Sequence, residues 1–192
     1  MKFKNKPNQS WIVSDQGEIA KKDIAPKPKL VWESRSVAIN CILIAYNDGN
    51  PYVLCSKRGP KSADFQGLWN LVAGYLDWDE TGTEAAIRET WEEVGLNLSE
   101  LELKYPLVYD HLNHPWFVNT SPKENRQNVS LRYGLVIDIG SDDLPELTTK
   151  YNEVEGEVED PSWIRFCDVK KYNWAFNHDK TIRQFGMLVD IY

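Results

Sequence analysis

Apolar residues along this chain gather into short runs separated by polar turns, and from about residue 35 onward the runs alternate in period. Residues 37–46 form the longest run, with Ile39, Ile42, Leu43 and Ile44 typical of a central strand. Asn47, Asp48, Gly49, Asn50 and Pro51 read as a turn, and 52–56 as the returning strand. Further strands are expected at 68–73, 103–109, 129–139 and 157–166. A helical period covers 81–95, and a second covers 177–189 with Asn177 as its cap. The polar stretch 110–128 holds His111, His114, Pro115 and Pro122, and 140–156 is an acidic loop. Strands and helices mix without a regular βαβ rhythm, which predicts an α/β (α+β) sandwich. Residues 1–34 are Lys-rich and weakly patterned, and read as a basic N-terminal extension or linker to a domain at 35–192. Trp11, Ile12 and Val13 suggest a short strand there. The segment 24–29, with Pro26 and Pro28, reads as extended.

The helix at 81–95 carries the chemistry. Thr81 and Glu84 make a capping box, and Gly95 stops the helix. At about 100° per residue, Glu89, Glu92 and Glu93 share one face, while Ile87, Thr90, Trp91 and Val94 share the opposite one. Carboxylates at these spacings repel by a few tenths of a kcal/mol per pair. Residues 74–96 hold seven acidic side chains against the single Arg88. A hard divalent cation converts that repulsion into binding, and Mg²⁺ suits carboxylates together with a substrate phosphate. A merely solvated face is the plain alternative for any acidic helix.

Composition narrows the setting. The chain has 192 residues, enough to bury a real core, and a net charge of −7. Residues 1–29 contribute +4, which leaves −11 for the rest, a poor surface for DNA because phosphate contacts dominate that affinity. No run approaches the roughly 20 apolar residues of a membrane helix, and the first residues lack a signal-peptide core. Cys41, Cys55 and Cys167 make no paired motif, and the first two fall in strand-like runs as buried thiols. A cytoplasmic protein without membrane contact is expected.

The segment 74–96 resembles the Nudix box, G-x5-E-x7-R-E-U-x-E-E-x-G-U, with U aliphatic. Gly74, Glu80, Arg88, Glu89, Glu92, Glu93 and Gly95 all match. Leu96 fits its aliphatic position and Thr90 departs from one. Segments 53–58, 67–73 and 174–178 are similar to the flanking segments of many members, so the likeness covers about 35–190. It implies a Nudix-type α/β/α sandwich with a mixed sheet between helices. It implies metal binding by Glu89, Glu92 and Glu93, often with the Gly74 carbonyl, and a Glu80–Arg88 ion pair that holds loop against helix. Gly74 and Gly95 serve backbone geometry. Relatives of this kind are often homodimers, so a second copy is an expected partner.

The activity so implied is Mg²⁺-dependent hydrolysis, with Mn²⁺ as a substitute. The bond is the diphosphate linkage of a small nucleoside-diphosphate compound: a nucleotide sugar or ADP-ribose-like molecule, a dinucleotide or a nucleoside triphosphate. Glu89 or Glu93 could serve as the base, and so could Glu153, Glu155, Glu157 or Glu159 of the later loop, with Glu153 our choice. Lys57, Arg58 and Arg132 are candidates for phosphate, and Trp69, Trp116, Tyr133 and Phe176 for stacking, each with an ordinary surface or core role as the alternative. His111, His114 and His178 lack metal-ligand spacing as a set, and His178 reads as structural. Two other functions stay open. One is a catalytically silent nucleotide-sensing protein, disfavoured by the complete box and the short chain after residue 166. The other is an RNA cap hydrolase with the basic segment on RNA.

Overall fold

The computed structural model describes residues 9–12, 29–32, 36–120 and 128–191, and falls into two compact units, Met1–Arg35 and Ser36–Tyr192. In the first unit β1 (Gln9–Ile12) pairs antiparallel with β2 (Lys29–Trp32). Trp11 and Ile12 thus lie on a strand; Val13 and the expected extended stretch 24–28 lie outside the described residues, and Lys29 begins β2.

The second unit is built on β3 (Val37–Asn47), whose apolar run makes it the centre of an eight-stranded sheet. It pairs parallel with β9 (Val129–Gly140) and antiparallel with β4 (Asn50–Arg58) and β6 (Val72–Tyr75). The outer strands are β10 (Val158–Arg165) beside β4 and β7 (Leu107–His111) beside β9. Short β5 (Trp69–Asn70) joins β4, and β8 (Phe117–Asn119) joins β9.

Period two along β3 sorts its side chains between two cores. Ile39, Cys41, Leu43 and Ala45 pack with Ala85, Ala86 and Val94 of helix α1 (Gly82–Val94) and with Leu98 and Leu101 of α2 (Leu98–Lys104). Ile42 and Ile44 pack on the opposite face with Ile182 and Phe185 of α3 (His178–Leu188). The result is an α/β/α sandwich around a mixed sheet. Cys41 and Cys55 are buried free thiols, and Cys167 is exposed. No helix among the described residues is long and apolar enough to cross a membrane.

Four local expectations need correction. Residues 103–109 are not one strand: the Asn97 side chain caps α2 by accepting the Glu100 N–H, while Leu98 and Leu101 bury one face, so the strand begins only at Leu107. Residues 68–73 split into β5 and β6, which pair with different strands. Asn177 makes no side-chain cap, because it adopts left-handed φ 58° whereas a cap of this kind needs extended backbone. The polar stretch 110–128 contains β8, and 121–127 lie outside the described residues.

Candidate active site

Helix α1 opens as the sequence dictates. Thr81 and Glu84 close the capping box, and Gly95 ends the helix at φ 74° with its N–H on the Trp91 carbonyl. The loop before it is fastened by Arg88. Its guanidinium donates to both Glu80 oxygens (2.8 and 3.0 Å), to Glu89 (2.9 Å), to Glu92 (3.0 Å) and to the Tyr75 carbonyl (3.0 Å). The Glu80 carboxyl is held below the usual range, chiefly by its bond from Arg88. The expected Glu80–Arg88 pair is therefore present, but Arg88 also draws two box glutamates onto itself.

Glu93 departs from the simple wheel, which placed it on an open face. It is buried: one oxygen accepts the Ala73 N–H at 3.3 Å, and the other has no hydrogen-bond partner among the described residues. Burial, then the neighbouring Glu89 charge, pushes its carboxyl well above the ordinary range. Burial likewise raises Glu89 to about 7, with Arg88 opposing. The Glu89 carboxylate lies directly over Gly74, where any Cβ would collide with it. Thr90 is fully buried, and its hydroxyl donates to the Ala86 carbonyl at 2.7 Å, so its departure from an aliphatic residue leaves no unpaired polar atom. Trp91, expected on the sheet side, is 39% exposed and stacks on Tyr151 of the acidic loop at 4.2 Å.

These side chains line a cavity of about 220 Å³ that holds Gly74, Glu89, Glu92, Glu93, Glu153 and Glu157. Among the described residues no three acidic or His/Cys side chains are drawn together tightly enough to hold an ion as they stand, since Glu89 and Glu92 turn to Arg88. The donor set nonetheless fits a hard cation: all oxygen, with Glu93 buried and one of its carboxylate oxygens unsatisfied. A metal-free site of this kind has a pH signature. A carboxyl raised in the folded state stabilises fully below its unfolded pKa, near 4.5, and that contribution is lost as pH rises through about 7 for Glu89. The metal-free melting temperature should therefore fall between pH 5 and 8, with Glu89 accounting for up to about 3 kcal/mol. Calorimetric scans check this, and Mg²⁺ added at pH 8 should restore stability.

A second cavity, of about 310 Å³, shares Ala73, Gly74, Tyr75 and Glu157 with the first and contains Arg58 and Arg132. Arg58 is engaged by Asp64 (2.9 Å) and lies over the Phe176 ring. Arg132 donates to Gln184 at 3.1 Å and lies over Phe117. Lys57 pairs with Asp160 at 2.7 Å. Buried His178 accepts the Leu71 N–H at 3.0 Å and also lines the larger cavity. Trp69 and Trp116 pack against the α3-side core, and Tyr133 is in the other. Glu155 and Glu159 line neither cavity, whereas Glu157 lines both. Asn40, Asn119, Asn128 and Ser130 also line the larger cavity, and none of them carries a recognised motif in the sequence. The signal for Asn40 was present as the lone amide in an apolar run.

A mixed-sheet sandwich presenting this box on its first helix defines the class, and the family model agrees: the NUDIX domain matches residues 35–185, so the chain belongs to that family. Nudix hydrolase 3 of Caenorhabditis elegans is 36% identical over 78 residues, 40% of this chain and 32% of its own length. An RNA pyrophosphohydrolase of Helicobacter pylori (strain P12) is 32% identical over 81 residues, 40% of this chain and 52% of its own. The chain thus spans about a third to a half of the curated relatives it matches. Among solved structures, the NUDIX domain of Shewanella oneidensis NrtR complexed with ADP ribose superposes with TM-score 0.60 at 18% identity, covering 92% of this chain and 99% of that one. That likeness establishes the fold.

Proposed function

We propose that the protein is a Mg²⁺-dependent hydrolase, with Mn²⁺ as a substitute, that cleaves the diphosphate linkage of a small nucleoside-diphosphate compound. The observation that carries this reading is the acidic cavity, lined by Glu89, Glu92, the Gly74 backbone and Glu93 with one oxygen unsatisfied. Those groups would hold the metal. When bound, Mg²⁺ neutralises phosphate charge and acidifies a water. Glu153, which lines the same cavity, accepts the proton of the attacking water. Arg58 and Arg132 bring positive charge to the adjoining cavity, where the rest of the substrate lies. Glu80, Arg88 and Gly95 hold the scaffold. Glu157 is a second candidate for the base, because it lines both cavities.

The Trp91–Tyr151 stack ties the loop carrying Glu153 to α1, and the Thr148 N–H bond to the Val94 carbonyl (3.0 Å) reinforces it. Trp91→Leu should therefore lower kcat about tenfold with little change in KM, and Trp91→Phe should restore most of it. Steady-state kinetics of the two variants check this; equal losses in both would point to a fault elsewhere in the fold.

The reading is tested by phosphate release from a panel of nucleoside diphosphate-X compounds, with and without Mg²⁺, beside the Glu92→Gln/Glu93→Gln double variant. Products that are monophosphates are coupled to a phosphatase. Turnover of at least one compound, dependent on metal and absent in the variant, is expected. No turnover together with nucleotide-induced stabilisation would favour the silent sensing protein. RNA cap hydrolysis is a second reading, supported by the likeness to a protein named RNA pyrophosphohydrolase. A steep loss of activity with salt on capped or triphosphorylated RNA would distinguish it.

A further inference from the structure

The loop between β4 and β5 is fastened to the chain that enters β10. The two strands pair as far as Arg58 and Val158. Beyond that pair the Gly59 N–H donates to the Glu157 carbonyl at 2.7 Å, the Lys61 N–H to the Gly156 carbonyl at 3.0 Å, and the Ser62 hydroxyl to the Glu157 carbonyl at 2.7 Å. The approach leaves no room for a side chain at residue 59, because a Cβ there would lie 2.3 Å from the Gly156 carbonyl oxygen. Gly156 turns the chain at φ 84°, a conformation open to glycine without steric cost.

Ser62 is held in place for this contact. It is 2% exposed, and its N–H bonds to the Gly59 carbonyl at 3.1 Å. Its own carbonyl and that of Pro60 both accept from the Gln66 side-chain amide, each at 2.9 Å. Among the described residues, the Ser62 hydroxyl makes the one side-chain hydrogen bond that crosses from this loop to residues 156–157. A carbonyl oxygen has two lone pairs. At Glu157 the loop engages that oxygen twice, from Gly59 and from Ser62, which restrains the main chain at that residue.

The side chain so placed is free. The Glu157 carboxylate has no hydrogen bond or ion pair among the described residues, yet it lines the acidic cavity together with Glu89, Glu92 and Glu93. Its charge reaches Glu93, adding to the larger effects of burial and of Glu89 on that carboxyl. Glu153 is held differently. The bonds beside it, from the Asn152 N–H and Nδ2 to the Thr149 carbonyl, stay inside its own loop, and Tyr151 ties that loop to α1. An unpaired carboxylate fixed beside three others is unfavourable until a cation joins them.

We propose that Ser62 is a positioning residue of this site: its hydroxyl fixes the Glu157 main chain, so that the free Glu157 carboxylate adds its charge to a cation held by Glu89, Glu92 and Glu93. The inference rests on the hydrolase reading and deepens it. Ser62 touches neither cation nor substrate and acts through Glu157, while Glu153 keeps the proton transfer assigned to it.

The test measures Mn²⁺ affinity by electron paramagnetic resonance, without substrate. The full chain is compared with Ser62→Ala, Glu157→Gln and the double variant. Glu157→Gln should weaken Mn²⁺ binding about tenfold and Ser62→Ala about fivefold. The double variant should bind no more weakly than Glu157→Gln alone, because Ser62 acts only through that carboxylate. Ser62→Ala leaves the Gly59 N–H on the Glu157 carbonyl, so the melting temperature should change little. Should Ser62→Ala fail to fold, Ser62→Cys takes its place, since it keeps the volume and offers only a weak donor. Unchanged Mn²⁺ affinity in either single variant, or losses that add in the double variant, overturns the inference. If the unmodified protein binds Mn²⁺ and only these variants fail to weaken it, the hydrolase reading stands. If the unmodified protein binds no Mn²⁺, both fall.

Discussion

Glu93→Gln should lower kcat by about a thousandfold or more and yet raise the melting temperature of the metal-free protein at pH 8. The two effects have one cause. Glu93 is buried with one oxygen unpaired, and its carboxyl is raised well above the ordinary range by burial and by Glu89. An ionised group there is a liability until a cation arrives. Glutamine keeps the acceptor for the Ala73 N–H and removes the charge. The stability gain should amount to several degrees, because 1 kcal/mol moves the midpoint of a domain this size by about 2–4 °C. Scanning calorimetry and a turnover assay on one preparation measure both. A destabilised variant that still turns over would reduce Glu93 to a packing residue.

Arg88→Met should be the most destabilising change in the box, by about 3 kcal/mol, because it strips one partner from three carboxylates at once. Glu80 and Glu89 are mostly buried and would be left without their cation. Arg88→Lys should recover little, since an ammonium cannot reproduce the fork that spans Glu80, Glu89, Glu92 and the Tyr75 carbonyl. Mg²⁺ should raise the melting temperature more in the Met variant than in the unmodified protein, because in the latter it competes with Arg88 for Glu89 and Glu92. Urea titrations with and without Mg²⁺ measure both claims. A loss below about 1 kcal/mol would mean the network behaves as an ordinary surface cluster.

The strongest signals in the sequence were periodic or local. The apolar run of β3, the capping box at Thr81 and the Gly95 stop place the central strand and α1 within a residue or two. Short elements decided by tertiary pairing were less legible. Helix α2 has only seven residues, and the division between β5 and β6 depends on which neighbour each strand joins. In the site, spacing alone put Glu89, Glu92 and Glu93 together, but a wheel carries no information about what covers each face. It therefore missed the burial of Glu93 and the half-exposed Trp91 beneath Tyr151. Residues 153–159 offered four glutamates, and nothing in their spacing separated Glu153 from the others. Only the crossover connection from β9 to β10 sets Glu153 and Glu157 against the box while leaving Glu155 and Glu159 outside. Asn40 was visible as a polar residue in an apolar strand, but its place in the wall of the larger cavity follows only from the fold.

The proposed hydrolysis depends on a divalent metal held by the box glutamates. Its most direct test is a titration of Mn²⁺, followed by electron paramagnetic resonance, into the protein and into the Glu89→Gln/Glu93→Gln double variant. Mn²⁺ should bind the protein saturably, be displaced by Mg²⁺, bind more strongly as pH rises through about 7 with loss of the Glu89 proton, and fail to bind a folded double variant. Equal Mn²⁺ binding by both proteins would contradict that dependence.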